Sequence, residues 1–185
     1  MAKVLVPLAN GFEELEAIAV VDVLRRGGVE VVMASIHDSL DVKGAHGVSV
    51  RADALFSDVA GAEYEAVVLP GGGEGTENLK NSDALFRVLR RQDEAGRLIC
   101  AICAAPTVLV EAGVVPPGVH LTCYPTCQMQ LDRQWTPAPV VADGNVITGQ
   151  APGTALLFGL VVLQALAGDK VAQKVARGMV TDVLG

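Results

Sequence analysis

Short, unbroken apolar runs alternate along the chain with longer segments in which apolar residues recur every three or four positions. Unbroken runs are typical of strands buried on both faces, and the longer period is typical of helices packed by one face. The pattern predicts strands at residues 3–8, 29–34, 66–69, 98–102 and 119–123, and helices at 12–26, 83–95, 107–112, 152–167 and from 169 onward. Repeated strand-then-helix units predict a mostly parallel sheet with helices on both faces. We therefore expect a single flavodoxin-like α/β domain, a three-layer sandwich, over residues 1–185.

Turn-forming residues mark several of the predicted boundaries. Gly27 and Gly28 follow the first helix, and Ser82 precedes the second as a candidate N-cap. The sequence Asp-Gly-Asn at residues 143–145 predicts a tight hairpin between strands at 140–142 and 146–148. Residues 44–52 have alternating character, which predicts a small hairpin or an edge piece.

The composition narrows the class of protein. A hydrophobic fraction of 51% with 19% charged residues excludes general disorder. The formal net charge of -7 and the lack of basic clusters argue against a nucleic-acid-binding groove. The most apolar later stretch, residues 155–167, is too short to span a bilayer, and the first predicted strand begins at once without a targeting segment. We therefore expect a cytoplasmic protein without a membrane partner.

The most informative position is Cys103, where an apolar strand run ends abruptly at a cysteine. Small residues stand two positions before and after it, at Ala101 and Ala105, and Pro106 opens a helical segment. Small neighbours at these offsets are typical of a sharp strand-to-helix turn that carries a nucleophile. The amino end of the following helix favours a thiolate, so the sequence predicts a reactive cysteine.

The other cysteines and the histidines offer weaker alternatives. Cys100 forms a C-x-x-C pair with Cys103, as in redox couples and half zinc sites, but it falls inside the strand run. Cys123 and Cys127 have a different spacing, and no histidine lies at ligand spacing near Cys100, so we expect no metal site. The three histidines, His37, His46 and His120, are expected in loops, which leaves Cys103 without an obvious histidine partner.

Two further features fall at the carboxyl ends of predicted strands, where open α/β sheets bind their ligands. The first is the turn of residues 10–16, in which Glu13, Glu14 or Glu16 could face the crevice with a raised pKa. Spacing alone does not choose among the three acids. The second is the glycine-rich loop of residues 70–75, which lacks a P-loop pattern and either forms a structural turn or offers N–H groups as an oxyanion hole.

These segments resemble the ThiJ/PfpI superfamily, in the branch that holds the human parkinsonism-associated protein deglycase and the bacterial YajL-like proteins. The resemblance runs nearly end to end, through Gly-Phe-Glu-Glu-Leu-Glu (11–16), Val-Asp-Val-Leu-Arg-Arg (21–26), Val-Val-Leu-Pro-Gly-Gly (67–72), Ala-Ile-Cys-Ala-Ala-Pro-Thr (101–107) and Ala-Pro-Gly-Thr (151–154). It implies a homodimer and a fold related to class I glutamine amidotransferase domains.

The resemblance also implies roles for individual residues. Glu16 would be the acid that contacts Cys103, and the backbones of Gly71, Gly72 and Ala104 would form the anion-binding wall. Tyr124 and Pro152 are candidates for lining the pocket. The human relative has a histidine where this chain has Tyr124. A phenol is a poor base near neutral pH, because its reference pKa is about 10. Acid–base work would then fall to Glu16.

Two classes of function follow from the resemblance. The first is a cofactor-free, cysteine-dependent deglycase or glyoxalase that acts on methylglyoxal, glyoxal or their early adducts on proteins and nucleotides. The second is an oxidative-stress sensor or redox-regulated chaperone in which Cys103 is oxidised to a sulfinate. Isonitrile hydration and cysteine peptidase activity, which occur in other branches, are weaker alternatives, and the peptidase normally needs a histidine near the elbow.

Overall fold

A seven-stranded sheet forms the centre of the protein in a computed structural model that describes residues 2–131 and 135–181. Its strands lie in the order β5-β2-β1-β6-β7-β9-β8, and every neighbouring pair is parallel except β8 and β9. Strands β3 and β4 form a separate antiparallel pair. The nine strands are β1 (Lys3–Leu8), β2 (Glu30–Ser35), β3 (Asp41–Lys43), β4 (Ser49–Arg51), β5 (Ala54–Leu55), β6 (Ala66–Leu69), β7 (Leu98–Ile102), β8 (Val140–Asp143) and β9 (Val146–Gly149).

Helices cover both faces of this sheet. They are α1 (Glu14–Arg26), α2 (Phe56–Val59), α3 (Gly73–Lys80), α4 (Asp83–Glu94), α5 (Pro106–Ala112), α6 (Ala155–Ala167) and α7 (Asp169–Gly178). One apolar core lies between the sheet and helices α1, α6 and α7. A second core lies between the opposite face of the sheet and helices α2, α3, α4 and α5. Alternate residues of β1 enter the two cores, with Val4 in one and Leu5 in the other. The predicted flavodoxin-like α/β architecture is confirmed.

Several strands, one helix cap and one hairpin turn lie where the sequence predicts them. The predicted bounds of β1, β6 and β7 are those of the structure. The Ser82 hydroxyl accepts the Leu85 N–H at 3.3 Å and so caps α4. Asp-Gly-Asn turns the β8–β9 hairpin with Gly144 at φ 61°. Within residues 2–131 and 135–181, no helix combines the length and apolar character that crossing a membrane requires.

The strand predicted at residues 119–123 is wrong. Only an isolated bridge, from Leu121 to Trp135, resembles sheet pairing there. The buried N–H of Thr122 is instead bound by the side-chain oxygen of Thr148 at 2.8 Å. The apolar residues of this segment therefore reflect burial, which a buried coil and a buried strand share.

Other boundaries differ because of caps and tight turns. Helix α1 begins at Glu14 rather than at residue 12, because Gly11 adopts φ 80° and Glu13 is the N-cap. Helix α3 was missed, since its first turn is glycine-rich and glycine disfavours helices. The helix predicted from residue 152 starts as a 3₁₀ turn, Pro152–Thr154, before α6. The predicted hairpin at 44–52 contains β4, but its first strand, β3, lies earlier in the chain.

Candidate active site

Cys103 lies on a sharp turn between β7 and α5, with φ at 65°. A non-glycine residue in this left-handed region is strained and must be held there by its surroundings. Both of its backbone polar groups are fixed, because its N–H donates to the Gly149 carbonyl at 2.9 Å and its carbonyl accepts from the Tyr124 N–H at 2.8 Å. The residue is only 8% exposed. The backbone therefore has the elbow geometry that the sequence predicts.

Glu16 lies in the first turn of α1 and is fully buried. Its Oε2 accepts the Gly71 N–H at 2.8 Å, whereas its Oε1 has no hydrogen-bond partner of good geometry among the described residues. Burial raises the pKa of Glu16 to about 7; the neighbouring Cys103 thiol and the Gly71 N–H oppose this rise, and the charge of Glu13 adds to it. A carboxyl with this pKa can both accept and donate a proton near neutral pH.

The other two acids of this turn have different partners. Glu13 Oε2 accepts the Glu16 N–H at 2.8 Å and so caps the helix. Glu14 Oε1 accepts the N–H groups of His46 and Val48 at 2.7 and 3.3 Å, and its Oε2 lies 2.9 Å from His46 Nδ1. Glu13, Glu14 and His46 have the spacing of metal ligands. Both oxygens of Glu14 are already used to hold the turn between β3 and β4, so we assign this cluster to holding that turn.

Gly71 packs against the side chains of Cys103 and Glu16, and Gly72 packs against the backbone of residues 11–13, so tightly that only glycine fits at either position. A Cβ on Gly71 would lie 2.6 Å from Glu16 Oε2 and 2.7 Å from Cys103 Cβ. Gly72 has φ 93°, and a Cβ there would collide with the carbonyl of Gly11. This close approach brings backbone N–H groups to the reactive atoms, as the glycine-loop hypothesis requires.

The charge state of Cys103 depends on both burial and Glu16. Burial raises the pKa of the Cys103 thiol, and the charge of Glu16 raises it further, while the N–H groups of Gly72 and Ala104 lower it. With Glu16 ionised, these two effects therefore outweigh the lowering of the thiol pKa that the amino end of the helix was expected to give. The N–H groups act in the expected direction, but desolvation is the larger effect. A thiolate needs the neighbouring carboxyl to hold the proton.

Tyr124 and Pro152 differ in their relation to this pair. Tyr124 touches Cys103 through its backbone N–H, and the residue is 42% exposed. Pro152 opens a 3₁₀ turn after β9, and no hydrogen bond joins it to Cys103 within the described ranges.

The histidines have partners elsewhere in the protein. His37 Nε2 accepts the Asn10 N–H at 2.9 Å, and His120 Nδ1 lies 3.1 Å from Asp143. His46 pairs with Glu14 as described. None of the three, all of which the structure describes, hydrogen-bonds the Cys103 thiol.

The remaining cysteines are Cys100, Cys123 and Cys127. All four thiols are free. Cys100 is completely buried in β7, and burial raises the pKa of its thiol. Burial also raises the pKa of Cys123 to about 12.

One contributor to the site was missed from the sequence. Gly149, the last residue of β9, supplies the carbonyl that fixes the Cys103 N–H. A Cβ at this position would lie 2.9 Å from Ile102 and 3.0 Å from Phe158. A backbone acceptor leaves no side-chain signature, so the glycine at the strand end was the only signal that could have indicated it.

The chain is similar to known proteins over most of its length. The model of the DJ-1/PfpI family matches residues 2–165. Protein dj-1beta of Drosophila melanogaster is 42% identical over 178 residues, 95% of each chain. A glutathione-independent glyoxalase, DJR-1.2 of Caenorhabditis elegans, is 35% identical over 161 residues, which cover 85% of this chain and 84% of that protein.

Longer relatives and solved structures extend the comparison. The chain spans 41% of the length of DJ-1 homolog B of Arabidopsis thaliana, to which it is 37% identical. The solved structure of oxidized Toxoplasma gondii DJ-1 superposes with a TM-score of 0.96 at 35% identity, covering 98% of this chain and 100% of that one. The family resemblance drawn from the sequence motifs is confirmed, and the chain belongs to the DJ-1/PfpI family.

Proposed function

We propose that this protein is a cofactor-free glyoxalase-type enzyme that converts methylglyoxal and glyoxal into lactate and glycolate. The observation that carries the proposal is the buried pair of Cys103 and Glu16, set against the N–H groups of Gly72 and Ala104. A nucleophile, an acid–base group and an oxyanion wall are the three parts that this reaction needs. The relative from Caenorhabditis elegans that is named a glutathione-independent glyoxalase supports the same class.

The reaction starts when the Cys103 sulfur adds to the aldehyde carbon of methylglyoxal. The thiol proton passes through Glu16, and the new oxyanion lies against the backbone N–H groups of the wall until it is protonated, which gives a hemithioacetal. Glu16 then removes the proton from the former aldehyde carbon, which gives an enediolate, and returns it to the neighbouring carbon, while the hydroxyl proton of the hemithioacetal moves to the neighbouring oxygen. This internal transfer produces a lactoyl thioester on Cys103. Water hydrolyses the thioester, releases lactate and restores the thiol, so that methylglyoxal plus water gives lactate.

The test is lactate formation by purified protein without added glutathione or metal. Cys103→Ser should abolish it, because a hydroxyl is a far weaker nucleophile than a thiolate. Cys100→Ser is the matched control, since it changes a thiol three residues away that is completely buried in β7. Equal rates for wild type and Cys103→Ser would refute the proposal. The same enzymes assayed on a hemithioacetal of a protein or nucleotide would extend the proposal to deglycase substrates.

A second candidate function is oxidation sensing, with or without a redox-regulated chaperone activity. It is favoured by the cradle around Cys103, because a sulfinate would find the protonated Glu16 carboxyl and two backbone N–H groups as hydrogen-bond donors. Two molecules of peroxide would oxidise the thiol to the sulfinate and leave two of water. A mass gain of two oxygen atoms at Cys103 under mild peroxide, in a protein that forms no lactate, would support this function and refute the enzyme.

We also propose that the protein acts as a cytoplasmic homodimer. An apolar face on α1 and the start of α6 is open to solvent, with Leu15 64%, Ile18 42% and Leu156 39% exposed. Apolar patches of this kind mark interaction surfaces. Light scattering should give twice the chain mass for wild type and the chain mass for Leu15→Glu. A monomeric wild type at micromolar concentration would contradict the dimer.

A further inference from the structure

The segment of residues 121–124 reaches the active site without being part of the sheet. Thr122 and Cys123 are completely buried, yet only Leu121 makes a bridge to another strand. A buried N–H without an acceptor is costly, so such a segment needs another anchor. The anchor is Thr148, whose Oγ1 accepts the Thr122 N–H at 2.8 Å. The Thr122 hydroxyl in turn donates to the Ala138 carbonyl at 2.7 Å.

Thr148 and its neighbour on β9 hold two parts of the site at once. The carbonyl of Gly149 fixes the N–H of Cys103. The hydroxyl of Thr148 fixes the N–H of Thr122, two residues before Tyr124, whose own N–H fixes the carbonyl of Cys103. The two connections start from adjacent residues of one strand and converge on the same strained residue. Loss of the Thr148–Thr122 hydrogen bond would therefore weaken the hydrogen bond from Tyr124 to Cys103, because Tyr124 follows Thr122 by only two residues.

We propose that Thr148 is a positioning residue for the active site: its hydroxyl takes the place of a missing sheet ladder, and thereby sets Tyr124 against Cys103 and keeps the nucleophile elbow in its left-handed conformation. Thr148 does not touch the reacting atoms. Its effect on turnover rests on the proposed function, but its effect on the thiol does not.

The test is a graded series at position 148. Thr148→Ser keeps the oxygen, Thr148→Cys offers a weaker sulfur acceptor, and Thr148→Val keeps the shape without any acceptor. Thr76→Val is the matched control, because Thr76 is also buried but its hydroxyl has no hydrogen-bond partner among the residues described. Each variant is measured for urea unfolding, for the alkylation rate of Cys103 against pH by peptide mass spectrometry, and for kcat and KM with methylglyoxal.

We expect kcat/KM and the pH midpoint of Cys103 alkylation to follow the order of acceptor strength. Thr148→Val should lower kcat/KM by about tenfold, mostly in kcat, and Thr148→Ser should stay within about twofold of wild type. Thr76→Val should match wild type in both readouts. If Thr148→Val does not fold, the order of the Thr, Ser and Cys proteins remains the test.

Two results would overturn the assignment. The first is an alkylation profile of Thr148→Val that matches wild type. If that variant does not fold, the profile of Thr148→Cys is used instead. A variant that loses stability but keeps the wild-type profile would show that Thr148 has only a structural role. The second is a Thr148→Ser protein as impaired as Thr148→Val, because the methyl group rather than the hydroxyl would be responsible. A wild type that forms no lactate refutes the proposed reaction instead, and the alkylation series then decides the role of Thr148 alone.

Discussion

Replacing Glu16 by glutamine should change how the stability of the protein depends on pH. The carboxyl is buried, and its pKa in the fold is about 7 against 4.5 for an ordinary glutamate. Below pH 4.5 it is protonated in both the folded and the unfolded chain and contributes no difference. Between pH 4.5 and 7 the folded protein holds a proton that the unfolded chain has lost, so stability falls as pH rises. Above pH 7 the full cost of a buried carboxylate is present.

The size of this cost follows from the two pKa values. A rise from 4.5 to about 7 corresponds to about 3 kcal/mol of unfolding free energy. Glutamine is uncharged at every pH and keeps an oxygen that can accept the Gly71 N–H. Glu16→Gln should therefore be more stable than wild type at pH 8 by up to about 3 kcal/mol, with little difference at pH 4.5.

Urea unfolding of both proteins at half-unit steps from pH 4.5 to 9 measures this difference directly. Glu94→Gln is the matched control, because it removes an exposed carboxyl at the end of α4 and should follow the wild-type curve within about 0.5 kcal/mol. Parallel pH curves for wild type and Glu16→Gln would contradict a raised pKa of Glu16, since they would mean that Glu16 carries the same charge in the folded and unfolded states.

Three further predictions concern the glycine wall, the phenol and a helix cap. Gly71→Ala should lower kcat/KM by about 100-fold or more, because the new methyl would overlap the carboxyl oxygen and the cysteine side chain, whereas Gly61→Ala, which faces open space, should be silent. Tyr124→Phe should keep kcat within about threefold, since phenols are poor bases at neutral pH; a 100-fold loss would assign it a catalytic role. Ser82→Ala should cost about 1 kcal/mol in urea unfolding without changing activity, and an unchanged midpoint would mean that the 3.3 Å cap contributes nothing.

The sequence predicts correctly those elements that are determined by a local signal, such as an apolar run, a turn or a cap, and not by contacts with distant residues. Strand β7 is an uninterrupted apolar run, and in the structure it is a central strand between β6 and β9. The hairpin of β8 and β9 is set by a turn that requires a positive φ at Gly144. Ser82 caps α4 because its side chain reaches the next turn of its own helix.

Errors arose where burial or packing outweighed the local signal. Residues 119–123 are apolar enough for a strand, but Thr148 satisfies the N–H of Thr122 in place of a neighbouring strand. Helix α3 starts in a run of glycines that disfavours helices, and the close approach of Gly11 and Glu16 requires glycine at positions 71, 72 and 75. Such contacts join residues far apart in the chain, so no window of sequence contains them.

The sequence also predicts some features of the candidate site and not others. The pattern around Cys103 predicts the elbow, and the structure has it at φ 65°. The choice of Glu16 over Glu13 and Glu14 was open on spacing, because all three acids share one helical turn. The three side chains point in different directions: Glu13 turns back onto the helix, Glu14 turns outward to the β3–β4 turn, and Glu16 turns inward to Gly71. The raised thiol pKa could not be predicted, since it depends on burial by distant segments.

In the proposed mechanism, Cys103 forms a covalent intermediate that Glu16 carries forward. This intermediate can be detected in protein that is mixed with methylglyoxal, quenched in acid within seconds and digested for mass spectrometry. We predict one methylglyoxal mass on the Cys103 peptide that decays as lactate appears and no adduct there in Cys103→Ser. In Glu16→Gln the adduct should form more slowly, because the acceptor of the thiol proton is lost, and should persist without lactate. Lactate released at the wild-type rate by Cys103→Ser, or by wild type with no adduct on Cys103, would contradict the account.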